Sequence, residues 1–347
     1  MSAGTFDTAR IATYLQSQGL GDGGEMQLRQ LSGGQSNPTY VLTSGGWQCV
    51  LRTKPPGPLL PSAHAIDREY RVMRALQDAA VPVPRMLAYC DDPSVLGRDF
   101  YLMELVDGRV CVDQSLPGLQ PAQRRAMYDE MNRVIAALHA VDYRAVGLES
   151  YGKPGSYFSR QIARWSRQCQ ASSLPVSAEM RSLMDWLPQH IPADDETTLV
   201  HGDFRLDNLI FHPTEPRVLA VLDWELSTLG HPMADFAYHC MAWRIPATLW
   251  RGVGGLDLQA LGIPNEADYL RAYAQRTGRD AGAHWEFYMA YNLFRMAAIL
   301  YGIGERAAQG NAAAVDAVET ASRATPLAEI GWHCAQRRMA YCGRMRI

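Results

Sequence analysis

Two short apolar runs, each ending in carboxylates, constrain this chain more than any other feature. Leu199-Val200 leads into His201-Gly202-Asp203-Phe204-Arg205-Leu206-Asp207-Asn208, which returns to apolar Leu209-Ile210-Phe211. A second run, Val218–Leu222, delivers Asp223-Trp224-Glu225. Acids at the ends of buried strands are expensive unless they bind something. An Asp, an Asn five positions later and another Asp after the next strand form an oxygen-rich set. Such a set suits a hard cation such as Mg²⁺, which takes one or two protein ligands and fills its shell with phosphate and water. The remaining Asp is then free to orient a hydroxyl and accept its proton. Either half alone would read as a β-hairpin with turn-forming Asp and Asn; the two together predict a functional site.

The rest of the chain divides around this pair. Asp7 can cap a helix carrying Ile11, Tyr14 and Leu15 at helical spacing. The runs Thr39–Thr43 and Trp47–Thr53 flank Ser44-Gly45-Gly46, a hairpin signal. A helix is predicted from about Pro61 to Ala79, then a buried strand over Phe100–Val106. Beyond Asp107-Gly108 helical patterns dominate: a long helix from Pro121, then others around 155–171, 178–187, 266–277, 283–301 and 311–323. The expectation is an α+β, two-lobed chain with a small β-rich lobe over residues 1–106 and a larger, mainly helical lobe over 107–347.

Charge and cysteine usage narrow the class. With 33 basic and 36 acidic residues, the chain lacks the basic surplus that nucleic-acid binding requires. No run approaches the ~20 apolar residues of a membrane span, and no secretory leader is visible. The seven cysteines are an odd, scattered number without a C-x-x-C, as expected of free thiols in a reducing compartment. A soluble, cytoplasmic protein is expected, of undetermined oligomeric state.

The pattern His201-Gly202-Asp203-x-x-x-x-Asn208 with Leu222-Asp223-Trp224-Glu225 resembles the aminoglycoside phosphotransferase family of the protein-kinase-like superfamily. The resemblance implies that Asp203 is the catalytic base, that Asn208 and Asp223 hold Mg²⁺ on the phosphates of ATP, and that the fold is the bilobal protein-kinase-like one. It makes His201 a structural brace and Asp235 a buried partner for the loop backbone. His231 and Asp207 are expected to be structural, and Glu225 stands between a supporting and a metal role. Upstream, Gly33-Gly34-Gln35-Ser36-Asn37-Pro38-Thr39-Tyr40 resembles the family's loop over the ATP phosphates, which assigns Gly33, Gly34, Ser36 and Asn37 to the nucleotide.

Val50-Leu51-Arg52 stands where protein kinases carry V-A-I-K, with arginine in place of the phosphate-binding lysine. Alternation puts Arg52 and Lys54 on one strand face, so either could reach a phosphate; Arg52 is the first choice and Lys54 the second. Glu69 shares a helical line with Ala65, Val72 and Leu76, and an acid on an apolar stripe calls for a buried cation such as Arg52. Tyr101–Gly108 resembles the adenine-recognising hinge, at the Glu104 carbonyl and the Val106 amide.

The acceptor is a small hydroxylated molecule of less legible identity. Only Lys54 and Lys153 are lysines, so arginines dominate every basic stretch. Arg160, Arg164 and Arg167, and a tail bearing Arg337, Arg338, Arg344 and Arg346, favour an anionic or acyl-carrying acceptor by charge complementarity, against a solvated arginine-rich face. Val50-Leu51-Arg52-x-Lys54-Pro55-Pro56-Gly57-x-Leu59-Leu60-Pro61-Ser62-Ala63-His64 is similar to the kinase-like portions of acyl-CoA dehydrogenase family members 10 and 11. That likeness implies a hydroxyacyl-CoA acceptor and leaves no expected room here for a dehydrogenase domain. An aminoglycoside or amino-sugar acceptor is the alternative. A non-catalytic, nucleotide-binding pseudokinase is a third reading, motivated by Arg52.

Overall fold

A computed structural model describes residues 6–31, 37–56, 65–309 and 316–344. Helix α1 (Thr8–Ser17) opens on Asp7, whose carboxylate accepts from the N–H groups of Ala9 and Arg10 at 3.2 Å each. Such a cap contributes about 1 kcal/mol. Strands β1 (Met26–Gln30), β2 (Thr39–Ser44) and β3 (Trp47–Thr53) follow, then helix α2 (Ile66–Ala75), β4 (Met86–Cys90), the short α3 (Pro93–Leu96) and β5 (Phe100–Met103). The five strands form one antiparallel sheet in the order β1-β2-β3-β5-β4.

Strand alternation sorts this sheet into two faces. Cys49, Leu51, Phe100 and Leu102 turn toward Ile11 and Leu15 of α1. Val50, Tyr101 and Met103 turn the other way, toward Ile66, Val72 and Met73 of α2. Arg52, two residues after Val50, shares the α2 face. Each fully buried aliphatic on α2 contributes roughly 1.5–3 kcal/mol, so the helix is anchored firmly enough to carry an acid on its inner side.

The larger lobe begins with β6 (Arg109–Val110) and the long α4 (Pro121–His139), whose first-turn proline needs no hydrogen-bond partner. Then come α5 (Tyr157–Ala171), α6 (Ala178–Trp186), β7 (Thr198–Val200), β8 (Leu209–Phe211), β9 (Val218–Val221) and β10 (Thr228–Gly230). Strands β6, β8 and β9 form a three-stranded sheet, and β10 pairs with β7. Helices α7 (Pro232–Cys240), α8 (Leu258–Leu261), α9 (Glu266–Thr277), α10 (Trp285–Ala308), α11 (Ala317–Ser322) and α12 (Ala324–Arg344) complete the chain.

The architecture is thus α+β and two-lobed, as expected. The differences are local. The helix expected from Pro61 is seen from Ile66, residues 61–64 being outside the described set; the strand expected to reach Val106 ends at Met103. Helices α7 and α12 are additions. Every residue of α7 is buried, so it has no polar face to reveal a helical period. Among the described residues no helix is long and apolar enough to cross a membrane, and Cys49, Cys90, Cys111, Cys169, Cys240 and Cys334 are free thiols.

Candidate phosphotransfer site

The loop after β7 is held from beneath by Asp235, at the start of α7. Its two carboxylate oxygens accept from the backbone N–H groups of His201 at 2.7 Å and Gly202 at 2.8 Å, and His139 Nε2 lies at 3.2 Å. His201 is itself a brace, with Nε2 2.9 Å from the Leu222 carbonyl. Gly202 has φ of +81°, and a Cβ there would stand 2.6 Å from the Leu226 carbonyl oxygen. Only glycine fits a positive φ at so close an approach.

This scaffold presents Asp203. Its Oδ1 accepts a hydrogen bond from the Tyr238 hydroxyl. Its Oδ2 lies 3.1 Å from Asn208 Nδ2 and 3.2 Å from Arg205 Nε. Asn208 Nδ2 also donates to the Asp203 carbonyl at 2.9 Å. With its amide nitrogen committed, Asn208 keeps Oδ1 as a free-lying acceptor. Asp223 follows β9 in a left-handed conformation, φ +66°, a region that Asp enters more readily than most residues. The Leu222 N–H donates to the Asn208 carbonyl at 2.8 Å, which ties the two acidic segments together.

Asn208 and Asp223 line a cavity of about 520 Å³ between the lobes, together with Arg52, Glu69, Glu104 and Val106. Across it, Arg52 Nε is 2.9 Å from Glu69 and its Nη2 is 3.4 Å from Asp223. Burial pulls the Arg52 guanidinium down, yet Glu69, Tyr101 and Asp223 outweigh it and hold the group above its ordinary value. Glu69 is almost wholly buried; burial pushes its carboxyl up, and Arg52 and the Tyr101 hydroxyl, at 3.0 Å, oppose that. Oxygens from one amide and one carboxylate fit Mg²⁺, which binds through few protein ligands beside a nucleotide. Among the described residues no cluster of three or more His, Cys, Asp or Glu could hold a metal.

Residues 27–291 match the model of the phosphotransferase enzyme family, APH. The chain belongs to this family. Acyl-CoA dehydrogenase family member 10 of Mus musculus is 48% identical over 316 residues, which are 90% of this chain and 30% of that protein. The chain spans less than half the length of the curated relatives it matches. A solved structure from Ralstonia eutropha, provisionally described as an aminoglycoside phosphotransferase, is 55% identical with a TM-score of 0.89, covering 96% of this chain and 99% of that one. An aminoglycoside phosphotransferase in ternary complex with ADP and hygromycin B shares the fold at 19% identity and TM-score 0.58, covering 92% of this chain and 97% of that one. The bilobal, kinase-like architecture is therefore a property of this family member.

Of the residues singled out in the sequence, Arg52, Glu69, Glu104, Val106, Asn208 and Asp223 meet at the one cavity. Asp203 stands at its border through the Asn208 contact. Gly33, Gly34 and Ser36 lie outside the described residues. Lys54 departs from expectation: it sits past the last residue of β3, before Pro55, and its ammonium pairs with Asp99, away from the cavity. Strand alternation could not be extended to it because the strand has ended. Asn37 also differs, since its buried amide donates to Glu69 Oε1 at 2.8 Å and braces the Arg52 pair. Asp207, expected to be structural, lines the cavity and pairs with Arg251 at 2.6 Å.

Four of the arginines expected on the acceptor side are engaged with other groups, and Arg346 lies outside the described residues. Arg160 caps carbonyls at the start of its own helix, Arg164 lies over Trp165, Arg337 pairs with Glu286 and Arg338 with the His190 carbonyl. Arg205, 3.2 Å from Asp203, and Arg251, paired with Asp207, line a second, smaller pocket with Tyr238, Ile245 and Trp250. Tyr238 carried a signal that was missed: it lies three residues after Asp235, hence on the same face of α7.

Proposed function

We propose that the protein transfers the γ-phosphate of ATP to a hydroxyl of a small molecule, with a hydroxyacyl-CoA as acceptor. The observation that carries this reading is the contact of Asp203 with Asn208, and of Arg52 with Asp223, around a single interlobe cavity. In the proposed step the acceptor oxygen attacks the γ-phosphorus, a new O–P bond forms, and the bond to the β-phosphate oxygen breaks to release ADP. Asp203 aligns the hydroxyl and takes its proton; Arg52, fixed by Glu69, offers positive charge to the phosphates; the backbone at Glu104 and Val106 receives the adenine. Asn208 and Asp223 would hold Mg²⁺, which supplies neutralising charge to the triphosphate when bound. Catalysis is then mostly positioning and electrostatics.

The acceptor class is supported by the names of the relatives. The aminoglycoside alternative draws on the name of the Ralstonia eutropha structure. Transfer of labelled phosphate from ATP to a panel of hydroxyacyl-CoAs, aminoglycosides and amino alcohols tests the reading. Label is expected in a hydroxyacyl-CoA; label in an aminoglycoside would replace the acceptor. Mg²⁺-dependent ATP binding with no transfer to any of them would favour a pseudokinase.

A smaller effect tests the nucleotide half. Arg52→Lys keeps the charge but loses the fork that meets Glu69 and Asp223 at once. ATP affinity, measured by titration with Mg²⁺ present, is expected to fall about tenfold. An unchanged affinity would remove Arg52 from the phosphate site.

A further inference from the structure

We infer that Tyr238 is a positioning residue for the phosphoryl-transfer step, fixing the Asp203 carboxylate through a buried hydrogen bond; this rests on the reading of Asp203 as catalytic. Asp203 lies on a loop, and a loop aspartate has two free side-chain torsions unless something holds it. Asn208 and Arg205 both approach Oδ2, at 3.1 and 3.2 Å. They restrain one oxygen and leave the carboxylate free to pivot about it. The Tyr238 hydroxyl donates to Oδ1, which supplies the second point that fixes the plane.

Tyr238 is suited to this task by its own surroundings. It belongs to α7, the helix whose Asp235 already holds the loop backbone. One helical face therefore grips the loop twice, by its main chain and by its reacting side chain. Arg295, buried in α10, lies 5.1 Å from the Tyr238 ring centroid and donates to the Gly202 carbonyl at 2.8 Å. The ring is thus braced by a cation that also anchors the residue preceding Asp203. Burial, then the Asp203 charge, pushes the Tyr238 phenol well above its ordinary value, so the group remains a donor at all working pH values. Tyr238 lines the second pocket and not the interlobe cavity.

The mechanism needs an aligned carboxylate, so removing one hydrogen bond to a charged group should cost rate rather than binding. Tyr238→Phe keeps the ring and its packing. With Mg²⁺ and labelled ATP, hydrolysis by water serves as an acceptor-independent probe alongside transfer to hydroxyacyl-CoAs. Tyr238→Phe is expected to lower kcat roughly tenfold to hundredfold, with KM for ATP unchanged within about twofold. In an Asp203→Asn background the same change should have no further effect, because the two residues act as one unit. Titration with a fluorescent ATP analogue establishes that each variant is folded and binds nucleotide. A wild-type kcat for Tyr238→Phe, or rate losses that multiply in the double variant, would overturn the inference while leaving Asp203 catalytic. A full rate for Asp203→Asn alone would overturn both.

Discussion

Asp203→Asn is expected to lower kcat by roughly 10²–10⁴, the usual contribution of a general base. The substitution preserves volume, so the loop should keep its path. Two things change. The amide cannot take the acceptor proton, and its NH₂ must face either the Tyr238 hydroxyl at Oδ1 or the Asn208 amide and Arg205 at Oδ2. With the NH₂ on the Oδ2 side a donor meets the Asn208 donor; on the Oδ1 side the Tyr238 hydroxyl must turn to accept and no longer donates to the side chain. Asp203 does not line the interlobe cavity, so KM for ATP should stay within about twofold while kcat collapses. Steady-state rates on the identified acceptor, with ATP varied, separate the two parameters. Retention of full phosphoryl transfer would remove Asp203 from the reaction.

What the sequence disclosed of this site depended on whether its signals were local. The hairpin over β2 and β3 was legible because a Ser-Gly-Gly turn separates two alternating runs, and Glu69 because an acid interrupts an apolar helical stripe. The acidic pair at 203–208 and 223 was legible from spacing alone. Contacts closed over long separations were not. Lys54 and Arg52 share a face only if the strand continues past Thr53, and their partners, Asp99 for Lys54 and Glu69 and Asp223 for Arg52, all lie far along the chain. Tyr238 reaches Asp203 across 35 residues, and its only local signal is its place one turn after Asp235 on the same helical face. The described part of the tail read as a basic stretch belongs to α12, whose apolar residues Leu327, Ala328, Cys334 and Ala335 are buried, while Arg337 and Arg338 fold back onto the lobe. Charge drew attention away from a periodicity that packing had already used.

Asp235→Ala is expected to destabilise the protein by about 3–5 kcal/mol, the cost of breaking a buried charged partnership. The carboxylate is buried and takes the His201 and Gly202 N–H groups and the His139 ring. Its removal strands two backbone donors away from water, each worth roughly 1–3 kcal/mol, and frees the loop that carries Asp203. Activity should therefore fall with stability, through loss of alignment at a distance from the chemistry. The pH dependence has a definite sign. Burial pushes the Asp235 carboxyl up, but the hydrogen bond and charge of His139, the charge of His201 and its backbone N–H outweigh it and hold the group below the ordinary aspartate range. A carboxylate depressed in the folded state contributes stability that is fully present above its unfolded pKa and lost as pH falls through the folded value. Urea unfolding of the wild type and Asp235→Ala at neutral pH should thus differ in midpoint, and the gap should narrow in acid, below the ordinary aspartate range. A gap that widened in acid would mean that Asp235 is held protonated, and the loop would then be secured by something other than its charge.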